Sequence, residues 1–295
     1  MTHFSWLKIN RFLLFLIIVF PGYTFSQSSK EFADFLMLEG DYFRAITEYK
    51  RILFEKPIDS VENYCLYQVA KAYWKSRYYE LAVRYVDRLL KKRDIDLSLR
   101  NQACLVGGFS YYEYNFPHLS MPYFQQLKVD SDMVSYPSLC LALVYAETSN
   151  WTSFNFAMSE AIQKEPKEEE KKHLGDIKNS FDEFAHRPPK SKFLACALSS
   201  VIPGAGQFYC GHTYDAFQAF AYTVGSLFAT YGFYRYDKSV NGHLGLTYVA
   251  AAISGIFYAS NIISAGRTAD YRNWRLKKDL IHELYVSIEV NIPLR

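Results

Sequence analysis

The residues best placed to do chemistry lie in one stretch, Pro203-Gly204-Ala205-Gly206-Gln207-Phe208-Tyr209-Cys210-Gly211, with His212 and Asp215 just beyond it. Glycines at this density let a backbone approach a phosphate closely, so a dinucleotide fingerprint is the first comparison. It fails, because Tyr209 holds the third glycine position and no strand with a following acidic residue frames the stretch. His212 and Asp215 have nothing beside them to complete a nucleophile or a metal site. What remains is backbone that can bend at three glycines, and Gln207, whose amide can hydrogen-bond across helices where no water competes. Asn261, in a later uncharged stretch, is a second side chain of this kind. Pro203, Gly204, Gly206, Gln207, Tyr209, Gly211 and Asn261 therefore form the first candidate site, with a tight turn held by a polar clamp as its ordinary role.

A second candidate lies earlier in the chain. Tyr67, Lys71 and Trp74 follow i, i+4, i+7 spacing and share one helical face, with Tyr64, Tyr111 and Tyr136 extending the set. Rigid aromatics beside a cation suit capture of an extended peptide or a partner helix, and the same tyrosines equally suit packing between helices. Five cysteines, Cys65, Cys104, Cys140, Cys196 and Cys210, are odd in number and lack metal-ligand spacing, so they read as buried thiols. No His-Glu-x-x-His, phosphate loop or Gly-x-Ser-x-Gly occurs, so no enzymatic activity, cofactor or metal is expected. A net charge of +3 is too small to point to nucleic acid.

The elements that carry the second set are periodic. Gly40-Asp41-Tyr42, Arg77-Tyr78-Tyr79, Tyr114-Asn115-Phe116 and Ser149-Asn150-Trp151 align, with their aromatics 37, 37 and 35 residues apart. Nine residues before each aromatic stands a small residue, Ala33, Ala70, Gly107 or Ala142, where two helices can approach closely. Pro57 and Pro166 close the first and last units. These residues resemble the tetratricopeptide repeat, a helix-turn-helix unit of about 34 residues. Gly40-Asp41-Tyr42, Ala45, Tyr49 and Pro57 match it best, whereas Leu119 and Phe154 replace its small residue, and Pro117 and Pro122 should disturb the second helix of the third unit. The resemblance implies a solenoid over residues 27–166, whose stacked units share one core and whose concave face, lined by Tyr64, Tyr67, Lys71, Trp74, Tyr111 and Tyr136, binds a protein or peptide.

On either side the character changes. Lys8 and Arg11 precede the apolar run Phe12 to Phe20, which rises only about 14 Å as a helix, so residues 1–26 read as a signal peptide cleaved after Ser26. Residues 167–192 begin as a charged capping helix and end in the linker Arg187-Pro188-Pro189-Lys190-Ser191-Lys192. Beyond it, Phe193 to Tyr214, Ala216 to Tyr234 and Leu244 to Gly266 are uncharged or nearly so and long enough to span a bilayer, though Pro203 and Gly204 interrupt the first. Ala251, Gly255 and Ala259 offer a small-residue packing face, and Tyr231, Phe233, Tyr234 and Tyr236 an interfacial belt. The Pro-Gly-x-Gly-Gln-x-Tyr-x-Gly pattern, with Tyr258, Asn261, Ala265, Ala269 and Asn273, resembles small bacterial membrane modules related to the two-transmembrane-helix domain, over residues 193–273. In the tail, residues 274–295, Val286, Ile288, Val290 and Ile292 alternate with polar residues, which predicts a short β-strand.

The expected fold is therefore all-α apart from that strand: a tetratricopeptide-like solenoid followed by a transmembrane helical hairpin or three-helix membrane module. The resemblances imply a membrane-anchored scaffold for a protein or peptide partner of the bacterial envelope, held in the inner-membrane bilayer with the repeats exported to the periplasm. The alternative is a membrane module that itself assists membrane-protein insertion, envelope assembly or transport. Five basic residues flank the spans on each side, Arg187, Lys190, Lys192, Arg235 and Lys238 against Arg267, Arg272, Arg275, Lys277 and Lys278, so the loops leave orientation open.

Overall fold

A computed structural model of the chain describes residues 22–128, 134–240 and 242–291, so the apolar run Phe12 to Phe20 lies outside the described residues. Among those residues the protein is all-helical, with thirteen helices and no strand. It divides into two compact units, one reaching Gly175 and resuming at Tyr285, the other running from Asp176 to Leu284.

The first unit is built from helix pairs: α1 (Gly22–Leu38) with α2 (Tyr42–Phe54), α3 (Asp59–Lys75) with α4 (Tyr79–Leu90), α5 (Leu97–Glu113) with α6 (Pro117–Phe124), and α7 (Tyr136–Glu147) with α8 (Trp151–Lys164). The expected cleavage point after Ser26 falls within α1. One turn joins the two helices of every pair. Gly40, Arg77, Asn115 and Ser149 have φ of +76°, +63°, +65° and +58°. The N–H of the residue after each donates five residues back, Asp41 to Leu36, Tyr78 to Tyr73, Phe116 to Tyr111 and Asn150 to Tyr145, all at 2.9 Å. This is a Schellman closure, which satisfies the orphan carbonyls of the first helix. Asp41 and Asn150 then cap the second helix through the N–H groups of Arg44 and Ser153.

These turns correct the register of the third unit. The left-handed residues are spaced 37, 38 and 34 apart, so Asn115, not Tyr114, is the counterpart of Gly40, and Gly108 takes the place expected of Gly107. Buried polar residues keep the same count. The Asn63 amide donates to the Asp94 carbonyl and the Asn101 amide to that of Lys128, both at 2.9 Å, while Ser135 bonds Glu165 at 2.6 Å. Ala33, Ala70 and Ala142 are fully buried. A Cβ on Gly107 would lie 2.6 Å from the Tyr123 ring and one on Gly108 2.3 Å from the Phe124 ring, so α6 lies unusually close to α5. Pro117 occupies the first turn of α6, where a missing N–H costs nothing, and α6 is shorter than the other second helices at 8 residues. Each helix packs on the next along the chain, and α3 also meets α5.

Helix α9 (Glu168–His186) carries the charged segment, and the linker ends at α10 (Lys192–Val201), capped by Ser191. The first uncharged stretch is broken into α10 and α11 (Ala205–Tyr209), and α12 (Thr213–Val240) and α13 (Gly245–Asn291) follow. The Asp237 carboxylate accepts from the N–H and hydroxyl of Thr247, both at 2.9 Å, and so caps α13 from the end of α12. Thr230 and Ser254 meet at 2.8 Å, and Tyr222 stacks on Phe257, which sets α12 and α13 as an antiparallel hairpin. Two expectations are corrected. The buried face of α13 is Ala250, Ser254, Asn261, Ala265 and Ala269, one residue round from Ala251, Gly255 and Ala259, which are exposed. The tail is helix to Asn291 rather than strand: extending an existing helix adds one hydrogen bond per residue, whereas a lone strand has no partner. Ile281, Leu284 and Ile288 are buried at helical spacing while Val286 is exposed.

Only Gly40 of the four left-handed residues lacks a Cβ, and an L side chain costs about 1–2 kcal/mol in this conformation. Arg77→Gly and Ser149→Gly should each raise the unfolding free energy, and Gly40→Ala should lower it, by roughly 0.5–1 kcal/mol in chemical denaturation monitored by circular dichroism.

Candidate functional site

The stretch around Gln207 is a break between two helices, and its chemistry follows from that break. Ile202, placed before Pro203, is extended at φ −126° and ψ 111° and stops α10. Gly204 turns the chain at φ +87°, and a Cβ there would lie 2.2 Å from the Ala216 carbonyl oxygen. A Cβ on Gly206 would lie 2.1 Å from the Ala195 oxygen, so only glycine fits between the two backbones. Gly211, at φ +85°, closes α11, with the His212 N–H donating to the Gln207 carbonyl at 3.0 Å.

The break strips Gly204 and Gly206 of helical acceptors, and side chains replace them. Gly204 N–H donates to Asn261 Oδ1 and Gly206 N–H to Ser199 Oγ, each at 2.9 Å. Ser199 Oγ donates to Gln207 Oε1 at 2.9 Å, and Gln207 Nε2 donates to the Asn261 carbonyl at 3.1 Å. Asn261 Nδ2 returns to the Ser199 carbonyl at 2.9 Å. Ser199, Gln207 and Asn261 are 0%, 0% and 4% exposed, so the network is closed to solvent. Around it the Tyr258 hydroxyl donates to the Ser200 carbonyl at 2.6 Å, Arg272 Nη1 to that of Cys210 at 2.8 Å, and Asn273 brackets Lys190 through both backbone groups. Tyr209 packs against Ala195, Cys210, Ala265 and Ala269, with the Lys190 ammonium 4.2 Å from its ring centroid.

Gly204, Gly206, Gln207, Tyr209, Gly211 and Asn261 thus serve one clamp, and Pro203 sets its turn. Two members of the clamp were not anticipated: Ser199, and Ser264, whose hydroxyl accepts from Gln207 Nε2 at 3.4 Å. Ser199 stands in a Ser-Ser pair within an uncharged stretch, the same kind of signal that exposed Gln207. Each amide and hydroxyl of Ser199, Gln207 and Asn261 is bonded to another part of the clamp, so the arrangement locks α10, α11 and α13 together and presents no reactive group. His212 pairs with Asp215 at 3.3 Å and meets the Tyr271 ring edge-on.

The second candidate set does not stay together. Tyr67 and Trp74 are 4% and 8% exposed and belong to the core, because i, i+4, i+7 spacing marks the face that packs on neighbouring helices as readily as a groove. Tyr111 packs on Tyr123, and Tyr136, also buried, bonds the carbonyl of Ile288. Tyr64 and Lys71 do line an open groove of about 460 Å³ with Asp34, Met37, Leu38, Tyr42, Gln68 and Lys75. Asp34 is committed there, accepting from Tyr49 at 2.5 Å, Tyr64 at 2.8 Å and Lys30 at 3.1 Å. Lys71 is half-buried, and burial, then Lys75, pushes its ammonium below the usual range. Among the described residues no carboxylate bonds Lys71, and Lys75 lies over the Trp74 ring at 4.8 Å. The cysteines are free thiols; Cys65, Cys104, Cys140 and Cys210 are buried and Cys196 is partly so. Burial raises Cys104 to about 11 and Cys65 to about 12.

Among the described residues one helix, α13, is long and apolar enough to cross a membrane, and only 17% of its most apolar window is covered by protein. The chain is thus an all-helical protein whose C-terminal half carries a candidate membrane helix. No protein-family model, curated protein or solved structure matches it.

Because the atom facing a Cβ at position 206 is backbone, Gly206→Ala has no flexible neighbour to displace. It should destabilise the second unit by about 1–3 kcal/mol or more, and Gln207→Leu by a similar amount through the polar groups it leaves unpaired. Phe208→Leu, at an exposed position, should change stability by less than about 0.5 kcal/mol. Thermal unfolding in detergent checks all three.

Proposed function

We propose that this protein is a membrane-anchored scaffold, in which tetratricopeptide-like helix pairs form a solenoid that holds a protein or peptide and the segment around α10 to α13 ties it to a bilayer. The observation that carries the reading is the groove at Lys71: a half-buried ammonium beside a second cation, flanked by Tyr42, Tyr64, Met37 and Leu38 and open to solvent. Asp34, the carboxylate of the groove, is taken up by Tyr49, Tyr64 and Lys30, and desolvating a cation that has no carboxylate of its own is costly, so the groove favours a ligand that brings a carboxylate together with an apolar side chain.

The anchoring part of the reading rests on α13. At 47 residues it rises about 70 Å, more than twice a hydrocarbon core of roughly 30 Å, so its uncharged half up to Gly266 is the part suited to lipid. Tyr271 and Trp274, exposed and 5.9 Å apart, follow where a headgroup interface would fall. Phe193, Phe208, Phe217 and Phe228 are likewise exposed, an outward apolar surface that lipid would cover. Anchoring in a bacterial inner membrane, with the helix pairs exported, completes the proposal. A module that itself inserts or transports membrane cargo is the weaker reading, because the clamp's polar groups are all spent on one another.

The groove is tested with a labelled acidic, apolar decapeptide and its Asp→Asn counterpart, titrated by fluorescence anisotropy against the full chain in detergent. The acidic peptide should bind more tightly, and Lys71→Ala with Lys75→Ala should weaken it about tenfold or more, as expected for a hydrogen bond to a charged group. Equal binding of both peptides, or no effect of the substitutions, would contradict the assignment.

A further inference from the structure

The last turns of α13 belong to the first unit, and they sit there as a ligand sits in a receptor. Tyr285 stacks on Tyr112 with ring centroids 5.7 Å apart and planes 11° from parallel, and meets Phe109 edge-on at 6.0 Å. Its hydroxyl donates to Glu113 Oε1 at 2.8 Å. One turn later Ile288 is fully buried, and its carbonyl accepts from the Tyr136 hydroxyl at 3.4 Å. An aromatic and a β-branched residue at i and i+3, set into a seat made by other helices, is the helix-in-groove mode of recognition. The seat consists of α5 and α7, apart from the Lys71 groove on α1 and α3.

One feature of the seat does not suit its occupant. Glu113 is half-buried, and the exposed Glu289 on the incoming turn acts on it with like charge; burial raises the Glu113 carboxyl most and that charge least, against the hydrogen bond from the Tyr285 hydroxyl. Two like charges across a partly desolvated contact weaken it, so a helix without the acid would fit better. We propose that this seat is a second binding surface, filled in cis by the Tyr285 to Glu289 turn, and that it exchanges this turn for a partner's amphipathic helix bearing an aromatic and a β-branched residue three apart and a basic residue where Glu289 stands. The inference goes beyond the Lys71 groove and does not depend on a ligand there.

The probe is a labelled peptide with the sequence of residues 279–291, in its native form and with Glu289→Lys. Both are titrated against the full chain and against its Tyr285→Ala, Ile288→Ala double variant in detergent. Vacating the seat should tighten probe binding at least tenfold, the Glu289→Lys probe should bind more tightly than the native one, and adding Tyr112→Ala to the double variant should abolish the gain. Hydrogen exchange on the unaltered chain is the second readout: excess Glu289→Lys probe should speed exchange of the amides at 285–289. Equal affinity for the chain and its double variant, a gain that survives Tyr112→Ala, or unchanged exchange at 285–289 would each overturn the proposal. Concentration-dependent dimerisation of the double variant without probe binding would overturn it in favour of exchange between two copies of this chain.

Discussion

The N–H groups of Gly204 and Gly206 lose their helical acceptors where Pro203 breaks the chain, and in apolar surroundings they must find others or cost several kcal/mol each. Asn261 and Ser199 supply those acceptors, and Gln207 joins the two. The glycines, the order of the polar residues and the small side chains of Ala195, Ala265 and Ala269 all follow from that need. Backbones must come close enough for short amides to reach, and a Cβ at 204 or 206 would hold them apart. Asn273 and Arg272 repeat the device at the rim, each bonding backbone on the segment that α13 faces.

The same accounting shapes the helix pairs. Each first helix ends by closing its carbonyls through a left-handed residue, and each following helix starts two residues later, so the two run antiparallel at short range. Buried amides at Asn63 and Asn101 and the hydroxyl of Ser135 then fasten the segments leaving the second, third and fourth pairs. Both halves of the chain thus use buried polar side chains to satisfy and fasten their own fold.

Much of this was legible in the residues. Tyr42, Tyr79 and Trp151 do begin second helices, the alanines nine residues earlier are buried, and the glycine-rich stretch is clamped by Gln207 and Asn261. The failures share a cause, which is that a period names a face without saying what covers it. Tyr67 and Trp74 share the spacing of a groove and of a core. Ala251, Gly255 and Ala259 differ from the buried stripe by about 100° of rotation, which apolar composition cannot resolve. Alternation at Val286 to Ile292 was outweighed by a helix already under way, and the third pair slipped by one because Gly107 and Gly108 both suit a close approach.

The proposed bilayer placement of the second unit is tested most directly by fractionating cells that express the full chain and extracting their membranes with carbonate, with tags after Gln27 and at Arg295. Carbonate-resistant recovery in the membrane fraction, retained by the Lys71→Ala, Lys75→Ala chain, is the predicted result. Release of the intact chain into the soluble fraction would contradict it, and would mean that the apolar surface of α12 and α13 is covered by protein instead of lipid.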